Sequence, residues 1–75
     1  MSLPDSEIAF VKKVGKSIID ARKRMNMKQR ELADLLDMDD GSLRRIESGR
    51  TNPTITTLKK IADKLEISVS ELLNF

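Results

Sequence analysis

Residues 28–48 read KQRELADLLDMDDGSLRRIES and contain two short helical patterns separated by an aspartate-rich turn. The first pattern predicts a helix from Lys28 to Leu36, and the second predicts a helix through Ser48 with Asp39 as its N-cap. The apolar residues that the two helices would share are Leu32, Ala33, Leu36, Met38, Leu43 and Ile46. Two short helices joined by a tight turn are typical of a helix-turn-helix unit. An ordinary helical hairpin could supply the same residues.

Apolar residues at spacings of three and four predict three more helices on either side of this stretch. One covers Pro4 to Met25, one follows an N-cap at Thr54, and a short one follows the capping box of Ser68 and Glu71. The predicted inward stripes are Ile8, Val11, Val14, Ile18, Ala21 and Met25 for the first, and Ile55, Leu58, Ile61, Ala62 and Leu65 for the fourth. No segment alternates apolar and polar residues as a strand would. The sequence therefore predicts an all-α fold of five helices, forming a single domain over residues 1–75.

Composition excludes several function classes. The 75 residues include no cysteine and no histidine, so disulfides, the usual zinc sites, a cysteine nucleophile and a histidine general base are all excluded. We therefore expect no enzyme activity, no metal and no cofactor. The chain has no apolar run long enough for a membrane span and no signal-peptide pattern at its start, so we expect no membrane association and a cytoplasmic location. A net charge of +2 favours no ligand class by itself.

From Val14 to Leu73 the sequence resembles the lambda-repressor and Cro-like, or XRE, family of helix-turn-helix transcriptional regulators. The resemblance rests on residues in that family's order and spacing: Arg22, Met27, Lys28, Gln29, Leu32, Ala33, Leu43, Ile46, Glu47, Gly49, Asn52, Pro53, Leu58, Ile61, Ala62, Leu65 and Ile67. It implies a compact five-helix domain that binds double-stranded DNA as a homodimer on a palindromic operator. In such a domain the second helix crosses the DNA backbone and the third lies in the major groove.

The resemblance also implies a role for each position of the site. Five residues lie where the family reads base edges: Asp40, Gly41, Ser42, Arg44 and Arg45. Arginine can donate two hydrogen bonds to guanine, but helix geometry prevents Arg44 and Arg45 from pointing the same way. Five others are expected to contact phosphates: Lys28, Gln29, Arg50, Thr51 and Asn52. Arg22 and Glu47 match a salt bridge that fixes the third helix, although both could instead be free surface charges.

Two features depart from the family pattern. Asp37 stands where the turn commonly has glycine, and we expect it to adopt a positive φ. Asp39 and Asp40 place two carboxylates at the entry of the reading helix, where they would repel phosphate. This acidic entry supports an alternative function, an antitoxin-like or other protein-interaction module on the same scaffold.

Residues 1–13 precede the family resemblance and extend the first predicted helix. We expect this extension and residues 67–75 to supply a surface for homodimer formation, because a domain this small gains stability by self-association. The alternative is that these apolar ends close a monomeric core.

Overall fold

The computed structural model describes residues 3–75 and contains five helices in that part of the chain. Their bounds are α1 Asp5–Arg24, α2 Gln29–Leu35, α3 Asp40–Glu47, α4 Ile55–Lys64 and α5 Val69–Leu72. The described residues contain no strand, so the all-α prediction is confirmed. The extension expected over residues 1–13 is helical from Asp5, and residues 1 and 2 lie outside the described part.

Local sequence explains where the helices begin and end. The side chains of Asp39, Thr54 and Ser68 each accept a hydrogen bond from the backbone N–H three residues on, so all three predicted N-caps are confirmed. Asn26 ends the segment after α1 with a φ of 54°, and Asp37 turns the chain between α2 and α3 with a φ of 56°. Asparagine and aspartate adopt this left-handed conformation more readily than most residues.

One core joins the five helices. Its fully buried side chains come from every helix and are Ile18, Leu32, Ala33, Leu43, Ile61 and Leu72. Burial of each leucine or isoleucine side chain contributes about 1.5–3 kcal/mol, which offsets the conformational entropy lost on folding. Within this core α3 packs against both α1 and α2, and the opposite side of α3 is in solvent.

The predicted inward positions of two residues, Ile55 and Met25, are wrong. Ile55 is 82% exposed because it is the first residue of α4, where the helix extends past the core. Met25 is exposed because α1 has already ended at Arg24, which leaves Met25 as its C-cap. In both cases the spacing continues beyond the part of the helix that has a partner to pack against.

Gly15 permits the close crossing of α1 and α3. A Cβ atom at this position would lie 2.7 Å from the carbonyl oxygen of Ile46 and 2.8 Å from the carbonyl carbon of Glu47. Both atoms are backbone, so neither can rotate away. A glycine in mid-helix normally costs about 1 kcal/mol relative to alanine, and the close contact of the two helices explains its presence here.

Candidate nucleic-acid interface

The turn between α2 and α3 sets the geometry of the site. Met38 donates its backbone N–H to the carbonyl oxygen of Ala33 at 3.0 Å, and Asp37 donates to that of Asp34 at 3.1 Å. Ala33 itself is fully buried, and a larger side chain would separate the two helices. The turn thus closes on the end of α2 and directs α3 across it, as a helix-turn-helix unit requires.

Asp39 serves the start of α3. Its carboxylate accepts from the backbone N–H of Ser42 at 2.6 Å. Hydrogen bonds from Ser42, first from its side chain and then from its backbone, hold the pKa of Asp39 below the ordinary 3.8, with smaller contributions from Arg45 and Arg44. The negative charge at the helix entry therefore has a structural role: it satisfies a free helix N–H and complements the helix dipole.

The outward face of α3 carries the predicted base-reading residues. Leu43, Ile46 and Glu47 are buried against the core, and Arg44 and Arg45 are exposed. The remaining three candidates, Asp40, Gly41 and Ser42, are partly exposed on the first turn. All five candidate base-reading residues therefore lie on the side of α3 that faces solvent.

The two arginines of this face differ in their surroundings. The side chain of Arg45 points towards the start of α3, where its Nη2 donates to Ser42 Oγ at 3.3 Å. Its Nη1 lies 3.4 Å from the position that a Cβ of Gly41 would take, so the missing side chain leaves room for the guanidinium. Arg44 makes no ion pair or side-chain hydrogen bond within residues 3–75. Both guanidinium groups keep donors available to a ligand.

A buried network fixes α3 to the rest of the domain. Arg22 Nε donates to Glu47 Oε2 at 2.9 Å, and Arg22 Nη2 donates to Glu47 Oε1 at 3.1 Å. Arg22 Nη1 also donates to the carbonyl oxygen of Met27 at 2.9 Å, in the segment between α1 and α2. The ion pair expected from the resemblance is therefore present and connects the end of α1 with the end of α3.

Gln29 enters this network, which the sequence did not predict. Its Nε2 donates to Glu47 Oε1 at 2.8 Å, across 18 residues of chain. No local pattern indicates a contact of that separation. An amide nitrogen has two hydrogens, so one holds the side chain in place and the other remains available as a donor. Gln29 and the exposed Lys28 lie together at the start of α2.

The loop after α3 contains the other residues that are expected to contact phosphates. Gly49 has a φ of 76° and donates its N–H to Ile46, and Arg50 donates its N–H to the carbonyl oxygen of Arg45 at 2.9 Å. These two N–H groups thus close the end of α3. Those of Thr51 and Asn52 have no acceptor among residues 3–75, and the Arg50 side chain is exposed. The loop therefore presents two backbone donors and one cation.

The side-chain charges of this surface come from Lys28, Arg44, Arg45 and Arg50, with Asp39 and Asp40 at one edge. Within residues 3–75 no group of acidic side chains is placed to hold a metal ion. None of the helices described is both long and apolar enough to cross a membrane.

Comparison with known proteins gives the same architecture. The family model of the helix-turn-helix family HTH_3 matches residues 18–72. The chain is 40% identical over 60 residues to the cryptic phage CTXphi transcriptional repressor RstR of Vibrio cholerae, which covers 80% of this chain and 54% of RstR. It is 39% identical over 61 residues to the ImmF control region 10 kDa protein of Bacillus phage phi105, covering 81% of this chain and 68% of that protein. The chain thus spans about half the length of RstR.

Solved structures of helix-turn-helix regulators have the same fold as this chain. The clp gene regulator ClgR from Corynebacterium glutamicum superposes with a TM-score of 0.83 at 25% identity, covering 85% of this chain and 68% of ClgR. The restriction-modification controller protein C.AhdI from Aeromonas hydrophila superposes with a TM-score of 0.81 at 28% identity, covering 85% of this chain and 97% of C.AhdI. The family match, the relatives and the shared geometry agree with the resemblance found in the sequence: the chain belongs to the HTH_3 family of XRE-type, lambda-repressor-like helix-turn-helix proteins.

Proposed function

We propose that this protein is a sequence-specific, double-stranded DNA-binding regulator of transcription that acts in the cytoplasm. The observation that carries the proposal is the outward face of α3, where Arg44 and Arg45 are exposed while the opposite face is held by the core. An α-helix fits the major groove of B-form DNA, and arginine is the commonest residue to recognise guanine there. The relatives named as a transcriptional repressor and as gene regulators support the same function.

Phosphate contacts on both sides of α3 would hold it in the groove. Lys28 and Gln29 lie at the start of α2, where free helix N–H groups and the helix dipole favour an anion. On the other side, the loop offers the N–H groups of Thr51 and Asn52 and the side chain of Arg50. Such contacts fix the register of the protein on the duplex and leave the choice of sequence to α3.

Homodimer formation on a palindromic operator is part of the proposal. Phe10 of α1 and Phe75 meet with their ring centroids 5.4 Å apart, and they are 52% and 53% exposed. This half-exposed aromatic pair joins the helix-one extension to the C-terminal segment, the two parts of the chain expected to supply a dimer surface. A second copy of the chain would cover the exposed half of each ring, and a two-fold dimer matches a two-fold operator.

The rival is a protein-interaction module on the same scaffold, for which Asp39 and Asp40 gave the sequence-based argument. Because the carboxylate of Asp39 caps α3 through Ser42, its position has an explanation within the domain. Asp40 alone remains as a carboxylate for a partner, and it also complements the dipole of α3. DNA binding is therefore favoured.

Selection of bound sites from a random duplex pool tests the proposed function. If the protein is such a regulator, selection should enrich an inverted repeat. The protein should also sediment as a dimer at micromolar concentration. Weak binding that is equal for all sequences and strongly dependent on salt would instead leave only non-specific attraction and contradict the proposal.

A further inference from the structure

Lys12 lies against the loop that follows α3. The position that a Cβ of Gly49 would take is 2.6 Å from Lys12 Cγ and 2.7 Å from Lys12 Cα, so α1 and the loop touch at this point. Gly49 precedes the Arg50, Thr51 and Asn52 segment. The Lys12 side chain therefore leaves α1 beside the segment that carries the free N–H groups.

The position of Lys12 around α1 shows which way it faces. Gly15 contacts the end of α3, and Val14 and Ile18 lie on the core side of Gly15. With about 100° between successive residues, Lys12 lies about 60° from Gly15 on the side away from Val14 and Ile18. This side of α1 faces away from the core and lies beside the loop that follows α3.

The ammonium group of Lys12 is available to a ligand. The side chain is exposed, and the ion pairs among residues 3–75 do not include it. One turn further along α1, Lys16 is held by Asp20 at 3.4 Å. Lys13 differs in another way, since it lies about 160° from Gly15 and lines a surface groove with Asp20 and Glu71. Of these three lysines, Lys12 is the one that lies beside the loop, and it takes part in no ion pair among residues 3–75.

We propose that Lys12 is an additional phosphate contact, through which the extension of α1 binds the same DNA strand as the loop after α3. The inference rests on the proposed function and adds a residue that precedes the family match over residues 18–72. The lysine ammonium is a compact charge on a flexible stem, which suits a phosphate without requiring a fixed geometry. Lys12 would add affinity for DNA of any sequence and no preference among bases.

The salt dependence of DNA binding tests this role. The variant Lys12→Gln removes the charge and keeps the stem atoms that pack on Gly49, while Lys13→Gln makes the same change on the face away from α3. Affinity is measured from about 50 to 200 mM salt on the duplex selected above and on a mixed-sequence duplex. Each neutralised phosphate contributes about 0.9 to the slope of log K against log salt. Lys12→Gln is therefore expected to lower the magnitude of the slope by about 0.9 per bound subunit, about 1.8 for a dimer, on both duplexes, and Lys13→Gln to leave it unchanged.

The controls separate the possible failures. Lys12→Arg keeps the charge and should restore the slope, and circular dichroism should show the same helix content in all variants. A slope for Lys12→Gln equal to that of the parent overturns the inference and leaves the proposed function standing. An equal fall in Lys13→Gln also overturns it, because the effect would then be one of net charge. A parent chain that binds neither duplex overturns the proposed function itself.

Discussion

Arg22 of α1 and Glu47 of α3 form a buried ion pair with two hydrogen bonds, of 2.9 and 3.1 Å. Both side chains are almost inaccessible to water, and the bond from Arg22 Nη1 to Met27 and the amide of Gln29 complete the network. A charge in such a place is tolerated only while its partners remain. The pair therefore makes the orientation of α3 depend on α1 and on the start of α2.

Loss of this pair should be costly. Glu47→Ala leaves the Arg22 guanidinium buried without its partner, and we expect the free energy of unfolding to fall by about 3–5 kcal/mol. Denaturant titration measures the loss. The control is Lys16→Ala, which removes the exposed Lys16–Asp20 pair and should cost about 0.3–0.5 kcal/mol. Similar losses in the two variants would mean that the buried pair does not hold α3.

Gly15→Ala should destabilise the domain, although alanine favours a helix. The added Cβ would meet the backbone of Ile46 and Glu47, so α3 must move away from α1. Overpacking of this kind costs about 1–3 kcal/mol, which exceeds the gain of about 1 kcal/mol in helix propensity over most of that range. Thermal unfolding gives the sign. A melting temperature above that of the parent would show that the two helices are not in tight contact.

The charge state of Asp39 gives a prediction about pH. Its pKa lies below 3.8 because Ser42 hydrogen bonds favour the carboxylate. A carboxyl group whose pKa is lowered by folding stabilises the folded state above its unfolded pKa, and this contribution disappears as the pH falls through the folded value. The stabilising contribution of Asp39 is therefore lost in the pH range below about 3.8. Titration of the carboxyl carbon by NMR should give a midpoint under 3.8 in the parent and a higher one in Ser42→Ala. A parent midpoint at or above 3.8 would contradict the role of Asp39 as a charged cap.

Local chemistry explains what the sequence predicts well. The caps at Asp39, Thr54 and Ser68 depend on residues within one helical turn, and so does the positive φ value at Asp37. The periodic apolar residues likewise identify the helices and nearly all of the core. These features need no knowledge of which helix packs on which.

The missed features depend on tertiary contacts. Ile55 continues an apolar stripe, but its exposure is decided by where the core ends. The Gln29–Glu47 bond and the Phe10–Phe75 contact join residues far apart in the chain, so no local spacing predicts them. The ion pair of Arg22 and Glu47 could be predicted only from the resemblance to a family, because its two residues are also far apart in the chain.

Gln29→Ala should weaken binding to every duplex by the same factor. Its free amide hydrogen is assigned to a phosphate, and such a contact carries no sequence information. Affinities for the selected duplex and for a scrambled duplex of the same composition should therefore fall together, with the same preferred sequence recovered on reselection. A change of preferred sequence would contradict the phosphate contact and would indicate that Gln29 contacts a base.

The most direct measurement concerns the ratio of affinities for the selected and the scrambled duplex, determined at one salt concentration for the parent, Arg44→Ala and Arg45→Ala. If the outward face of α3 reads base edges, the parent should bind its selected duplex at least about 10³-fold more tightly than the scrambled one. At least one arginine variant should lose discrimination worth about 1–3 kcal/mol at a G·C pair. An unchanged ratio and an unchanged preferred site in both variants would contradict the assignment of this face to the DNA.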